Sequence, residues 1–101
     1  MTNPAEGPVT EVAQFFVAPG GEDSFVVDYH GVKDNNATFP GCRSMRLTRG
    51  VENPNTFILM VEWDSVAAHE AFRATERFPA WRAGIGPHFA QPPHVEHYYT
   101  V

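Results

Sequence analysis

Basic side chains, thiols and long apolar runs are all scarce in this 101-residue chain, and each scarcity closes off a class of function. Seven Lys and Arg against twelve Asp and Glu leave a formal charge of −5 with no basic cluster. The electrostatic footprint that holds a polyanion is therefore missing, and nucleic acid is not an expected partner. One cysteine, Cys42, excludes an internal disulfide framework and any multi-thiolate zinc or iron–sulfur site within one chain. It lies in GCRSMRL with no basic partner fixed by spacing and is read as structural. No segment approaches the roughly 20 apolar residues of a membrane span, and MTNPAEGPVT has neither a positive n-region nor an apolar run. The expectation is a soluble, cytoplasmic protein without a membrane partner. No G-x-S-x-G, P-loop or dinucleotide fingerprint occurs.

What the chain does have is apolar and aromatic side chains, 43% and 13% of its residues, enough for one domain with one modest core. Residues 1–9 hold two prolines and a glycine and read as a flexible N-terminal arm before a single domain over 10–101. TEVAQFFV, 10–17, is the first strand, ended by Pro19-Gly20-Gly21. From Glu22 to Val32 the spacing of Phe25, Tyr29 and Val32 predicts an amphipathic helix, and Phe39-Pro40-Gly41 closes that unit. CRSMRLTR, 42–49, and FILMVEW, 57–63, flank the turn-rich GVENPN and form a hairpin. Asp64 is the expected N-cap of a helix over 65–73. A second short helix starts at Thr75 or Glu76, tolerates Pro79 in its first turn and puts Phe78, Trp81 and Ile85 on one stripe. HVEHYYTV, 94–101, is the last strand.

The order βαββαβ is the ferredoxin-like arrangement of the α+β class. It has a four-stranded antiparallel sheet with helices on one face, here with the second helix broken in two. Its strands are apolar on both faces: Phe57, Leu59, Val61 and Trp63 alternate with Ile58 and Met60, and Ala13, Phe15 and Val17 alternate with Val12 and Phe16. A sheet apolar on its helix-free side needs a second layer that 101 residues cannot supply, which predicts a homodimer packed sheet on sheet. Gln14, Glu62, Arg46 and Glu96 would then need pairing or hydration near the dimer interior.

An early strand running into VAPGGEDSF, then FILMVEWDSVAAHEAF, ERFPAW and HVEHYYTV, carry a likeness over almost the whole chain. The sequence resembles the antibiotic biosynthesis monooxygenase (ABM) family of the dimeric α+β barrel superfamily. The resemblance implies a dimeric barrel with a pocket between helices and sheet in each protomer. It also implies, for members whose chemistry is understood, oxidation of aromatic polyketide phenols to quinones with no metal or flavin cofactor. Other members degrade haem with an asparagine, a tryptophan and a histidine. The matching positions here carry Ala13, Phe72 and Arg82, so that site is absent.

On a regular helix His69 shares an inward face with Ser65, Ala68 and Phe72, while Glu70, Arg73 and Arg77 point to solvent. An inward histidine is either a hydrogen-bonded core residue or a general base, and the residues leave both open. The resemblance adds weight to the second, since family members tend to keep a histidine here. Trp63, Phe72, Phe78 and Trp81 would wall a flat apolar cavity for a small aromatic molecule, and Arg82 could stabilise a phenolate as charge develops. His94 and His97 resemble a metal clip, but three residues apart on a strand they face opposite ways. The function that follows is a cofactor-independent monooxygenase acting on a small or polycyclic phenol through His69 and Arg82. The alternative is a non-catalytic dimer that binds an apolar aromatic ligand.

Overall fold

The alternation of VTEVAQFF builds strand β1, Val9–Phe16, with every second residue buried, beginning one residue earlier than expected. The structure, a computed structural model, describes residues 3–101; Met1 and Thr2 of the expected arm lie outside the described residues. A short 3-10 turn at Pro4–Glu6 precedes β1. Helix α1 spans Glu22–Val32, as its spacing requires, and buries Phe25 and Tyr29. A four-residue helical turn, α2 at Asp34–Ala37, follows it. Four residues are too few to show a periodicity, which is why the sequence does not announce it.

Strands β2, Cys42–Arg49, and β3, Thr56–Trp63, form the expected hairpin. Helix α3 covers Val66–Arg73 and α4 covers Arg77–Ile85. A 3-10 turn at Gly86–His88 then leads to strand β4, His94–Tyr98. The break between α3 and α4 has a local cause: Thr75 Oγ1 donates to Phe72 O at 2.7 Å, and Pro79 has no N–H with which to continue the ladder.

One expectation is corrected at the start of α3. Ser65, not Asp64, is the N-cap, with Oγ accepting from Ala68 N at 3.1 Å. Asp64 still belongs to the sheet region, its N–H donating to Gly41 O at 2.8 Å, and its carboxylate pairs with Arg43 at 2.5 Å. The chain therefore enters the helix one residue later. Gly41 makes this junction possible: its φ is +95°, and a Cβ there would stand 2.8 Å from the Ala68 Cβ.

The strands lie in the order β2-β3-β1-β4, all antiparallel, with the helices on one side. This is the ferredoxin-like βαββαβ fold. Toward the helices β1 points Val9, Glu11, Ala13 and Phe15, and β3 points Phe57, Leu59, Val61 and Trp63. The free face carries Val12, Phe16, Ile58 and Met60, with Thr10, Gln14 and Glu62 among them; Thr10 Oγ1 donates to Glu62 at 2.8 Å. Among the described residues no helix is long and apolar enough to cross a membrane.

Candidate functional site

Glu11 occupies an inward position on β1, where every neighbour in the alternation is apolar. It is 6% exposed. A carboxylate so placed must be hydrogen-bonded, and its Oε1 accepts from the Trp63 indole N–H at 2.9 Å. The same oxygen lies 3.3 Å from His69 Nε2, and His69 Nδ1 lies 2.8 Å from His97 Nε2. One tautomer satisfies the whole chain: His97 Nε2–H donates to His69 Nδ1, and His69 Nε2–H donates to Glu11. The sheet register sets this up, because Glu11 sits opposite His97 on β4 and two rows from the Val9–Trp63 pair on β3.

Packing fixes the imidazole from the other side. The His69 ring stacks on Trp63 at 5.0 Å between centroids and 14° between planes, with Phe72 next along the helix face. Burial pushes the Glu11 carboxyl above its usual range, with the Trp63 N–H and Arg73 opposing. Burial also lowers His69 to about 4, aided by His97 and Arg73. His97 is lowered by burial as well, with Glu70 opposing and Arg73 adding. Both directions disfavour a carboxylate–imidazolium pair, so at neutral pH His69 is uncharged.

Glu11 and His69 open on a cavity of about 260 Å³ between sheet and helices. Phe72, Phe78 and Trp81 wall it from the helices, and Phe15 and Phe89, stacked at 4.8 Å, wall it from the sheet side. Arg82 lines the same cavity with its guanidinium 5.8 Å from the Phe78 ring centre. The structure thus brings His69, Phe72, Phe78, Trp81 and Arg82 together around one space. Trp63 is fully buried behind His69 and supports that ring without lining the cavity.

Several participants are not evident from helix-face reasoning. Glu11 stands on β1, about which helix spacing says nothing. His97 was readable only once its strand partner was known, since its link to His69 spans 28 positions. Arg73, expected to face solvent, is exposed at its helix position yet lines the cavity with its guanidinium over Phe78 at 5.4 Å. His94 and His97 do face opposite ways: His97 meets His69, while His94 pairs with Glu96 on the free face. A second, shallower depression of about 440 Å³ between α1 and β2 holds Lys33, Arg46 and Arg49 but no buried carboxylate or imidazole.

Known proteins share this architecture. A Bordetella bronchiseptica structure described as an antibiotic biosynthesis monooxygenase by family superposes with a TM-score of 0.89 at 33% identity, covering 94% of this chain and 98% of its own. A Caulobacter crescentus structure described in the same terms gives 0.83 at 26%, covering 96% and 92%. The uncharacterized Bacillus subtilis protein YczJ is 26% identical over 94 residues, which is 92% of this chain and 99% of its own length. The family model for antibiotic biosynthesis monooxygenases matches residues 8–84, and the chain belongs to that family.

Proposed function

We propose that this protein is a cofactor-independent monooxygenase for a small aromatic phenol or anthrone-like substrate bound in the cavity between helices and sheet. The observation that carries this reading is the Glu11–His69–His97 chain, a buried proton acceptor with a route to the surface, opening on an aromatic box. With His69 lowered to about 4, the imidazole alone is a weak base at neutral pH, whereas a carboxyl raised by burial sits closer to the operating range. Glu11 therefore takes the substrate proton; with both imidazoles turned to their Nδ1–H tautomers, Glu11 hands it to His69 Nε2 while His69 Nδ1–H gives its own to His97 Nε2, which releases one outward from Nδ1. Arg82 holds the anion as charge develops.

The chemistry needs no external reductant. Loss of a proton leaves a carbanion-like anion that donates electrons to dioxygen, and oxygen bonds to that carbon. The peroxide then loses water to leave a carbonyl. One oxygen atom ends in product and one in water, whose two hydrogens come from the substrate: both from the methylene of an anthrone, or from the hydroxyl and the oxygenated ring carbon of a phenol. A cavity near 260 Å³ lies just below the roughly 300–1,000 Å³ of typical ligand sites, which favours the small over the extended polycyclic substrate.

Residues 10–101 act in this reading as one catalytic domain, and two copies pack through their free sheet faces. Val12, Phe16, Ile58 and Met60 support that packing, since a helix layer covers only the opposite side. The deciding experiment follows oxygen uptake and product mass over a panel of anthrones and hydroquinones. A monooxygenase consumes one dioxygen per product and adds one oxygen atom in place of two hydrogens. Tight binding of these compounds without oxygen uptake would instead establish a binding protein.

A further inference from the structure

One polar group in the aromatic cavity is unused by the fold. Asn36 on α2 is 2% exposed and lines the cavity, and its Oδ1 has no hydrogen-bond partner among the described residues. The short helix does not need that side chain. Asn36 N donates to Lys33 O and its carbonyl accepts from Phe39 N, both at 3.0 Å. Its neighbour Asn35 donates from Nδ2 to Val32 O at 2.9 Å, and Arg77 ties α4 to Thr38 Oγ1 at 2.9 Å. A buried acceptor left unpaired is costly, and native interiors hold few of them without a reason.

Resting on the reading that an aromatic ligand fills this cavity, we propose that Asn36 is its second polar anchor. Oδ1 accepts a hydrogen bond from a hydroxyl or N–H of the ligand, at a ring position other than the one that meets Glu11 and His69. The substrate class narrows from phenols in general to aromatics with donors at two ring positions. Glu11 on β1, His69 on α3 and Asn36 on α2 then fix the ring in its plane from three separate elements. A site built to bond a hydroxyl rejects an analogue without it far better than an apolar wall senses a change of one methylene.

Calorimetric titration under anaerobic conditions tests this with 2-naphthol and the 1,4-, 1,5-, 2,6- and 2,7-dihydroxynaphthalenes. At least one diol should bind wild type about tenfold more tightly than 2-naphthol, the gain expected of one additional buried hydrogen bond. Asn36→Leu and Asn36→Ala should each erase that preference, bringing every diol to within about twofold of 2-naphthol in the same variant, since only the diol uses the acceptor. Should leucine not be accommodated, the alanine variant gives the same reading. A diol preference that persists in the variants, or is absent from wild type, overturns the anchor and leaves the aromatic cavity standing. Failure of wild type to bind any of the naphthols overturns both, and failure of both variants to fold makes Asn36 structural and overturns the anchor.

Discussion

His69 Nδ1 and His97 Nε2 face each other at 2.8 Å, joining a ring that touches the cavity to one that is only half-buried. The second ring gives the buried site an exchange route to water, which a lone imidazole stacked on Trp63 would not have.

Removing the imidazole should separate chemistry from stability. His69→Ala is expected to abolish turnover and to cost about 1–3 kcal/mol in urea unfolding, through a lost hydrogen bond and a small cavity. Arg82→Gln is exposed and should leave stability unchanged while lowering kcat by about 10²-fold with little effect on binding, as for other lost anion-stabilising donors. Steady-state kinetics with any substrate that wild type oxidises provides the check, and unchanged kcat in both variants would remove these residues from the mechanism.

The acid limb of the stability curve carries two opposed contributions. His69 titrates at about 4 when folded and near its ordinary 6.5 when unfolded, so between those values the unfolded chain holds more protons. Stability from this group is fully present above pH 6.5 and falls as pH drops toward 4, by up to about 3 kcal/mol. Glu11 acts the other way, because its raised carboxyl binds more protons folded than unfolded above 4.5. Glu11→Gln removes that opposing contribution. Urea melts between pH 7 and 4.5 should therefore show a steeper acid loss in the variant than in wild type, and a shallower one would contradict the assignment.

Gly84 on α4 lies against Val32 of α1, where an added Cβ would come within 2.6 Å of Val32 Cγ1. Valine is branched and stiff at χ1, so the contact cannot be relieved by a simple rotation. Gly84→Ala should destabilise by about 1–3 kcal/mol despite its better helix propensity, as overpacked substitutions do. Thermal melting decides it, and a gain in stability would show that α1 and α4 separate freely.

Light scattering at micromolar concentration should return the mass of two chains for wild type. Ile58→Asp places a charge in the middle of the free sheet face, opposite Gln14 and Thr48, and should yield folded monomers. A monomeric wild type would refute the sheet-on-sheet pairing.

Periodicity made most of the fold legible. The helix at 22–32 and the hairpin strands follow directly from it, and the two-faced apolar strands mark which layers the sheet needs. The N-cap was misplaced by one residue because Asp64 and Ser65 are both good caps, and only the hydrogen bond to Gly41 decides between them. In the site, Phe72, Phe78, Trp81 and His69 lie on stripes that helix spacing makes visible, whereas Phe15 and Phe89 lie outside α3 and α4 and give no such signal. Glu11 gives none either, because a lone acid in a strand is normally read as solvent-facing. Its partners lie 52 and 58 positions away in Trp63 and His69, and pairing at such separations is a property of strand register that no local pattern records.

That register also bears on how the lineage can change. The bulge between Cys42 and Ser44 sits in the pairing of the outer strand β2 with β3, whereas β1 pairs with β3 and β4 without interruption. An insertion or deletion of one residue within β1 or β4 would turn Glu11 or His97 to the opposite side of the sheet and sever the chain at once. Strand β2 contributes no member of that chain and already accommodates such an irregularity. Length variation among descendants should therefore collect in β2 and its flanking loops, with β1 and β4 drifting by substitution alone.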